Sequence, residues 1–238
     1  MGVILEVIAV TVEDALAAER GGADRLELIA NFLEGGTTPS PGLVRSVKQA
    51  VSIPVNVMIR PHGGGFVYCS AEVDAMIYDA ALVRQAGADG IVVGALRPDG
   101  TIDTETVARV LDAARLPATF HRAFDTLPET TMPEALKTLA DMPRIERVLT
   151  SGGRDSAYEG REIIAQMVSQ QIISIMPGKG VGHDNIKDLV LETGVREVHV
   201  GTAVRRWNKP TCPVCEEKVR RLKQILEEVS AIRDAQHS

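Results

Sequence analysis

Glu6, Glu27, Arg60, His121 and His199 are the side chains of this sequence best suited to chemistry. Each lies within or at the end of a short apolar run rich in Val, Ile and Leu, the composition of a strand buried on both faces. Charge in such a run needs a partner or a task, because fully buried unpaired charge is rare. Two carboxylates beside a histidine can divide general acid and base work, or hold a divalent metal. On this reading His121 is an acid or base, Glu27 a base or metal ligand with Glu6 as its companion, and Arg60 the clamp for an anion. An ion pair of Glu6 or Glu27 with Arg60, without chemistry, is the competing account. Five such residues from five separate runs favour a site.

What must position them is a set of strands. Side chains alternate along a strand, so Ile4, Glu6 and Ile8 share a face, as do Arg25, Glu27 and Ile29, and Asn56, Met58 and Arg60. Thr119 with His121, Ser174 with Met176, and Glu197 with His199 follow the same rule. The eight strand candidates are Val3–Ile8, Asp24–Ile29, Val55–Arg60, Gly90–Gly94, Ala118–His121, Arg147–Thr150, Ile172–Met176 and Glu197–Gly201. Helical patterns with apolar residues at i, i+3 and i+4 lie between them, the last near 215–230. Gly21-Gly22 and Gly87 end helices, and Pro54 and Pro117 open strands. Strict alternation in 238 residues predicts an α/β fold, one (βα)8 TIM barrel over 1–238. In such a barrel the five residues converge at the C-terminal mouth, where barrel enzymes place their sites.

The segments after the strands carry the glycine and polar residues. Thr37 and Thr38 follow the second strand, Arg122 and Asp125 the fifth, Ser151-Gly152-Gly153 the sixth and Gly178-Lys179-Gly180 the seventh. Arg60, Arg122, Thr37, Thr38, Ser151, Gly178, Lys179 and His199 form the predicted ligand-binding set. Gly178–Gly180 together with Gly201–Ala203 resembles the phosphate-binding position of such barrels. An anionic small molecule, phosphorylated or carboxylated, is the expected ligand, with a divalent metal as its possible companion.

Composition removes other classes. The net charge of −6 disfavours a nonspecific nucleic-acid binder. No apolar run reaches the roughly 20 residues of a membrane span, and Met1–Val10 reads as a strand without the basic start of a secretory signal. No G-x-G-x-x-G or P-loop is present. Cys69, Cys212 and Cys215 are too few for a disulfide framework, so a reduced cytoplasmic setting is expected. Cys212 and Cys215 form a lone C-x-x-C, a candidate soft-metal or redox pair, or else an incidental feature of a helix start. Barrels of this size commonly associate, so a homodimer is expected.

Three stretches, Glu34–Ser40, Met58–Pro61 and Phe120–Asp125, resemble the CutC family of copper homeostasis proteins, within a likeness running from Val3 to about Gly201. The resemblance implies a cytoplasmic (βα)8 barrel and a role in copper binding and copper homeostasis. It also implies a cysteine after the Glu-Leu pair of the second strand, a thiolate suited to Cu(I). This chain has Ile29 there. Cys69, Cys212, Cys215, Met58 and Met176 are the sulfur donors that remain.

Overall fold

A computed structural model describes residues 2–236. Met1, His237 and Ser238, the ends of the expected 1–238 span, lie outside the described residues. Eight strands alternate with eight helices: β1 Ile4–Ala9, α1 Val12–Arg20, β2 Arg25–Leu28, α2 Pro41–Ala50, β3 Val55–Met58, α3 Ser70–Gln85, β4 Gly90–Val93, α4 Thr104–Ala114, β5 Ala118–Phe120, α5 Met132–Ala140, β6 Ile145–Thr150, α6 Arg161–Ser169, β7 Ser174–Pro177, α7 Ile186–Thr193, β8 Glu197–Val200 and α8 Glu216–Gln236. All the strand pairs are parallel and run in the order β7-β6-β5-β4-β3-β2-β1-β8. This is the (βα)8 TIM barrel. The seventh strand starts two residues later than expected, and the last helix runs six residues beyond 230.

Local chemistry sets the helix ends. Thr11 and Ser40 accept hydrogen bonds from the backbone N–H groups of Asp14 and Leu43, capping α1 and α2. Pro41 occupies the first turn of α2, where its missing N–H costs nothing.

The apolar core lies between strands and helices. Leu5, Val7, Leu26, Leu28, Val55, Val57, Ile91, Val93, Phe120, Val148 and Val198 face outward from the barrel and are fully or almost fully buried under the helices. At roughly 25 cal/mol per Å² of apolar surface removed from water, this layer is the main source of stability. With four Phe and one Trp in the chain, aliphatic side chains fill it.

The inside of the barrel is different. Barrels usually fill it with bulky aliphatic layers. Here Glu6, Arg25, Glu27, Asn56, Thr119, Glu197 and His199 occupy it, all buried. Most are partnered: Arg25 bridges Glu6 and Glu197, Arg147 reaches Glu197 at 3.1 Å, and the Asn56 amide points at Glu6. Glycine makes the room. A Cβ on Gly90 would sit 2.3 Å from Asn56 Oδ1, and one on Gly94 would sit 2.5 Å from the His121 ring.

The β7–β8 seam is closed by side chains. Ser174 Oγ on β7 donates to Glu197 Oε1 on β8 at 2.7 Å, while no backbone pairing joins these two strands among the described residues. No helix of the described residues is long and apolar enough to cross a membrane.

Candidate functional site

The strands end in a cavity of about 810 Å³ at the C-terminal mouth. Glu27, Arg60, His121, Arg122, Lys179 and His199 are on its wall. Ile8, Ile29, Phe32 and Met58 supply an apolar side. Glu6 is fully buried behind the wall. Of the expected ligand-binding set, Thr37, Thr38, Ser151 and Gly178 do not line the cavity. Thr37 accepts from the Asn31 amide, and Thr38 Oγ1 accepts from the Arg60 N–H, so both shape the loop after β2. Gly178 lets Leu149 and His199 approach its backbone.

Three buried polar atoms of residues on this wall have no protein partner: Glu27 Oε1, His121 Nε2 and Arg60 Nε. Burial without a hydrogen bond costs about 1–3 kcal/mol per group, so such atoms mark where a ligand would bond. Glu27 faces His199 Nε2 at 3.8 Å, and His199 Nδ1 lies 2.8 Å from Glu6 Oε1. Burial pushes the Glu27 carboxyl up, His199 opposes this and Glu6 adds to it, and the group is held at about 7. Burial also acts to raise Glu6, but Arg25 and His199 outweigh it and bring Glu6 down to about 2. Burial acts to lower His199, yet the charge of Glu27 and the bond to Glu6 raise it above its ordinary value.

His121 is unlike His199. Its Nδ1 accepts the Ala123 N–H at 3.1 Å, and its ring packs against Phe66 with centroids 5.0 Å apart. Burial, reinforced by the neighbouring Arg60 charge, brings it down to about 3. The ring is therefore neutral at physiological pH.

Arg60 is engaged within the protein. Its Nη1 donates to the carbonyls of Glu34 and Gly36, its Nη2 to that of Gly64, and its guanidinium lies 4.9 Å from the Phe66 ring centre. The expected anion clamp thus ties together the loops after β2 and β3. Arg122, Arg154 and Lys179 are the more exposed cations of the rim. Asp125 holds Arg122 through a 2.8 Å contact to Nε. Asp125 is itself seated in the loop after β6, accepting from Thr150 Oγ1, Ser151 N–H and Ser151 Oγ. Sequence reading passed over Asp125 as an organiser, although its place one turn after Arg122 was visible. Ser151 serves this seat.

A family model described as CutC family matches residues 3–204. The chain belongs to the CutC family. CutC relatives include the "Copper homeostasis protein cutC homolog" of Mus musculus, 47% identical over 83% of this chain and 73% of its own. A CutC family protein of Salmonella enteritidis is 44% identical over 84% of this chain and 80% of its own. The crystal structure of a CutC protein from Streptococcus agalactiae superposes with a TM-score of 0.80 at 33% identity, covering 84% of this chain and 98% of that one. Tryptophan synthase subunit alpha from Legionella pneumophila, at 16% identity and a TM-score of 0.68 over 95% of this chain and 93% of its own, shares the barrel.

The CutC name implies copper, and the donors can be tested against it. Cu(I) prefers thiolate and thioether sulfur. Cys69 is exposed, and Cys212 and Cys215 are half-buried outside the cavity. The Cys212 carbonyl accepts from Arg205 Nη1, and the Cys215 N–H donates to the Val204 carbonyl. Ile29 packs with Met58 and Val92 where the implied cysteine would stand. Among the described residues the donor group with metal-ligand spacing is Glu6, Glu27 and His199, with atoms within 4.8 Å of one another. This set is hard, without sulfur, and does not fit Cu(I). It also lies beside Arg25, whose fixed charge opposes a cation, and Glu6 already holds Arg25 and His199. The three residues fit a proton-sharing chain better than a metal centre.

Proposed function

We propose that this CutC protein is an enzyme acting on a small anionic metabolite, phosphorylated or carboxylated, at the C-terminal mouth of its barrel. The carrying observation is that Glu27 Oε1 and His121 Nε2, two of the three buried, unpartnered atoms, share the wall of one cavity. Glu27 is the proton-transfer group. Its raised pKa suits exchange near neutral pH. His199, 3.8 Å from Glu27 and hydrogen-bonded to Glu6 behind it, is its charged neighbour. Arg122 and Lys179 hold the anionic end of the metabolite. Copper handling, the role in the relatives' names, has less support here because the cavity offers imidazole, carboxylate and one thioether but no thiolate.

The test is a thermal-shift screen of inorganic phosphate, small phosphate esters and small carboxylates, beside a Cu(I) titration against a competing chelator. A saturable rise in Tm with an anion, lost in the Arg122→Gln/Lys179→Gln double variant, is the expected result. No shift with any anion, together with tight Cu(I) binding, overturns it.

A further inference from the structure

The tautomer of His121 is fixed by the fold. Its Nδ1 accepts the Ala123 N–H, so in the neutral ring the proton is on Nε2. That nitrogen is buried, has no acceptor in the protein, and lies on the cavity wall. The ring cannot swing easily. Phe66 packs against it, and the room it occupies exists because residue 94 is glycine. The site thus presents a rigid neutral N–H donor. On the same wall Glu27 presents a carboxylate oxygen that is equally unpartnered, a proton acceptor when ionised. One acceptor for a proton and one donor for an oxygen, in a cavity rimmed by cations, is the equipment for enolisation.

We propose that this protein moves a proton on a carbon next to a carbonyl, in a hydroxy-aldehyde or hydroxy-ketone bearing a phosphate or carboxylate. The inference rests on the reading of the mouth as an anion-metabolite site. Glu27 Oε1 takes the proton from the α-carbon as the C–H bond breaks. The released electron pair forms a C=C bond, and the carbonyl π pair moves onto its oxygen. His121 Nε2–H donates to that developing oxyanion without giving up its proton. The proton of the α-hydroxyl then passes to that oxyanion as a new C=O forms on the hydroxyl carbon. The C=C pair takes the proton back from Glu27 at the former carbonyl carbon. One C=O is lost and one is formed, so nothing is oxidised or reduced overall. A neutral imidazole is the better donor here, since an imidazolium would protonate the oxyanion outright. His121 is accordingly an electrophilic group, in place of the acid or base expected from sequence.

Three measurements on the full chain test this. Nitrogen-15 NMR of the histidine rings gives the tautomer: His121 is expected neutral with Nε2 protonated from pH 5 to 8, and an Nδ1–H tautomer or an imidazolium overturns the proposal. Thermal shift identifies which members bind from a panel of dihydroxyacetone phosphate, ribose 5-phosphate, ribulose 5-phosphate and their unphosphorylated counterparts, with inorganic phosphate as reference. Proton NMR in D2O then follows α-deuterium uptake by those members. Uptake is expected in a bound phosphorylated member, falling by about 10²–10⁴-fold in Glu27→Gln and by about 10²–10³-fold in His121→Phe. Thermal shift with inorganic phosphate is expected to survive both substitutions. Binding without deuterium uptake overturns enolisation and leaves the anion site standing. Absence of binding by every anion overturns both.

Discussion

Glu6 and His199 meet inside the barrel, carboxylate to Nδ1 at 2.8 Å, and the far nitrogen of His199 faces Glu27. The residues lie on neighbouring strands, paired directly across β1 and β8. A buried carboxylate thus fixes the ring that adjoins the carboxyl proposed to do the work. Glu6→Gln removes the charge that holds both His199 and Arg25. The expected loss is about 3–5 kcal/mol of stability, because one member of a buried ionic network is deleted while the others remain buried. Chemical denaturation of the variant beside the wild type measures it. A loss under about 1 kcal/mol would show that the network relaxes without Glu6.

The pH dependence of stability follows from Glu27. Its folded value of about 7 stands above the ordinary 4.5. Between these the folded chain keeps a proton that the unfolded chain has released, so this group makes stability fall as pH rises from about 4.5 to 7. Glu27→Gln removes that contribution. The gap between variant and wild-type urea midpoints should move in the variant's favour as pH rises across this window.

His121 acts in the opposite sense. Its folded value is near 3, below the ordinary 6.5, so the unfolded chain binds a proton there that the folded chain excludes. Stability from this group is complete above 6.5 and is lost as pH falls towards 3. His121→Phe should therefore flatten the acid side of the stability profile, as read by denaturant midpoints from pH 4 to 7.

Gly94→Ala is a test of the hollow interior. The new Cβ would lie 2.5 Å from the His121 ring, which must then move. Overpacking of this kind costs about 1–3 kcal/mol. The barrel should still fold by circular dichroism, with Tm lowered. The His121 ring signals should shift in NMR. An unchanged ring environment would mean that the strand, not the ring, gives way.

Arg205 and Asp14 form a second buried ion pair, 3.0 Å apart and each almost wholly inaccessible. Arg205 also lies over the Phe32 ring and bonds the carbonyls of Cys212 and Ile8. This anchors the segment between β8 and α8. Asp14→Ala should cost about 3–5 kcal/mol, measured by urea unfolding. Substitution of Cys212 and Cys215 by serine, which leaves the carbonyl and N–H of each in place, should cost far less.

Much of the fold was legible because a βα unit leaves two periods in the sequence. The runs at Val3–Ile8 and Glu197–Gly201 show strand alternation, and helices such as α8 show apolar spacing. Which face each polar side chain takes was equally legible, as with Glu27 and His199. Spacing gives a face and not a partner. It could not show that Arg25 spans Glu6 and Glu197, since β8 comes beside β1 only through barrel closure. It could not show that Arg60 would meet three carbonyls, because those belong to loop backbones that any sequence carries. Asp14 and Arg205 stand 191 positions apart and share no motif. One signal was available and unread: Gly90 and Gly94 lie on one face of β4 and its extension, which announces large neighbours on either side.

The seam between β7 and β8 has a consequence for motion. Seven strand junctions are stitched by amide ladders, whereas this one depends on the Ser174–Glu197 contact and on Arg147 and Arg25 around the same carboxylate. A ladder shares load over many bonds, but a clasp opens at one point. The segments that follow these two strands, Lys179–Gly182 and Gly201–Ala203, both form part of the mouth. A single carboxylate at the base thus clasps the two strands whose following segments form this side of the entrance.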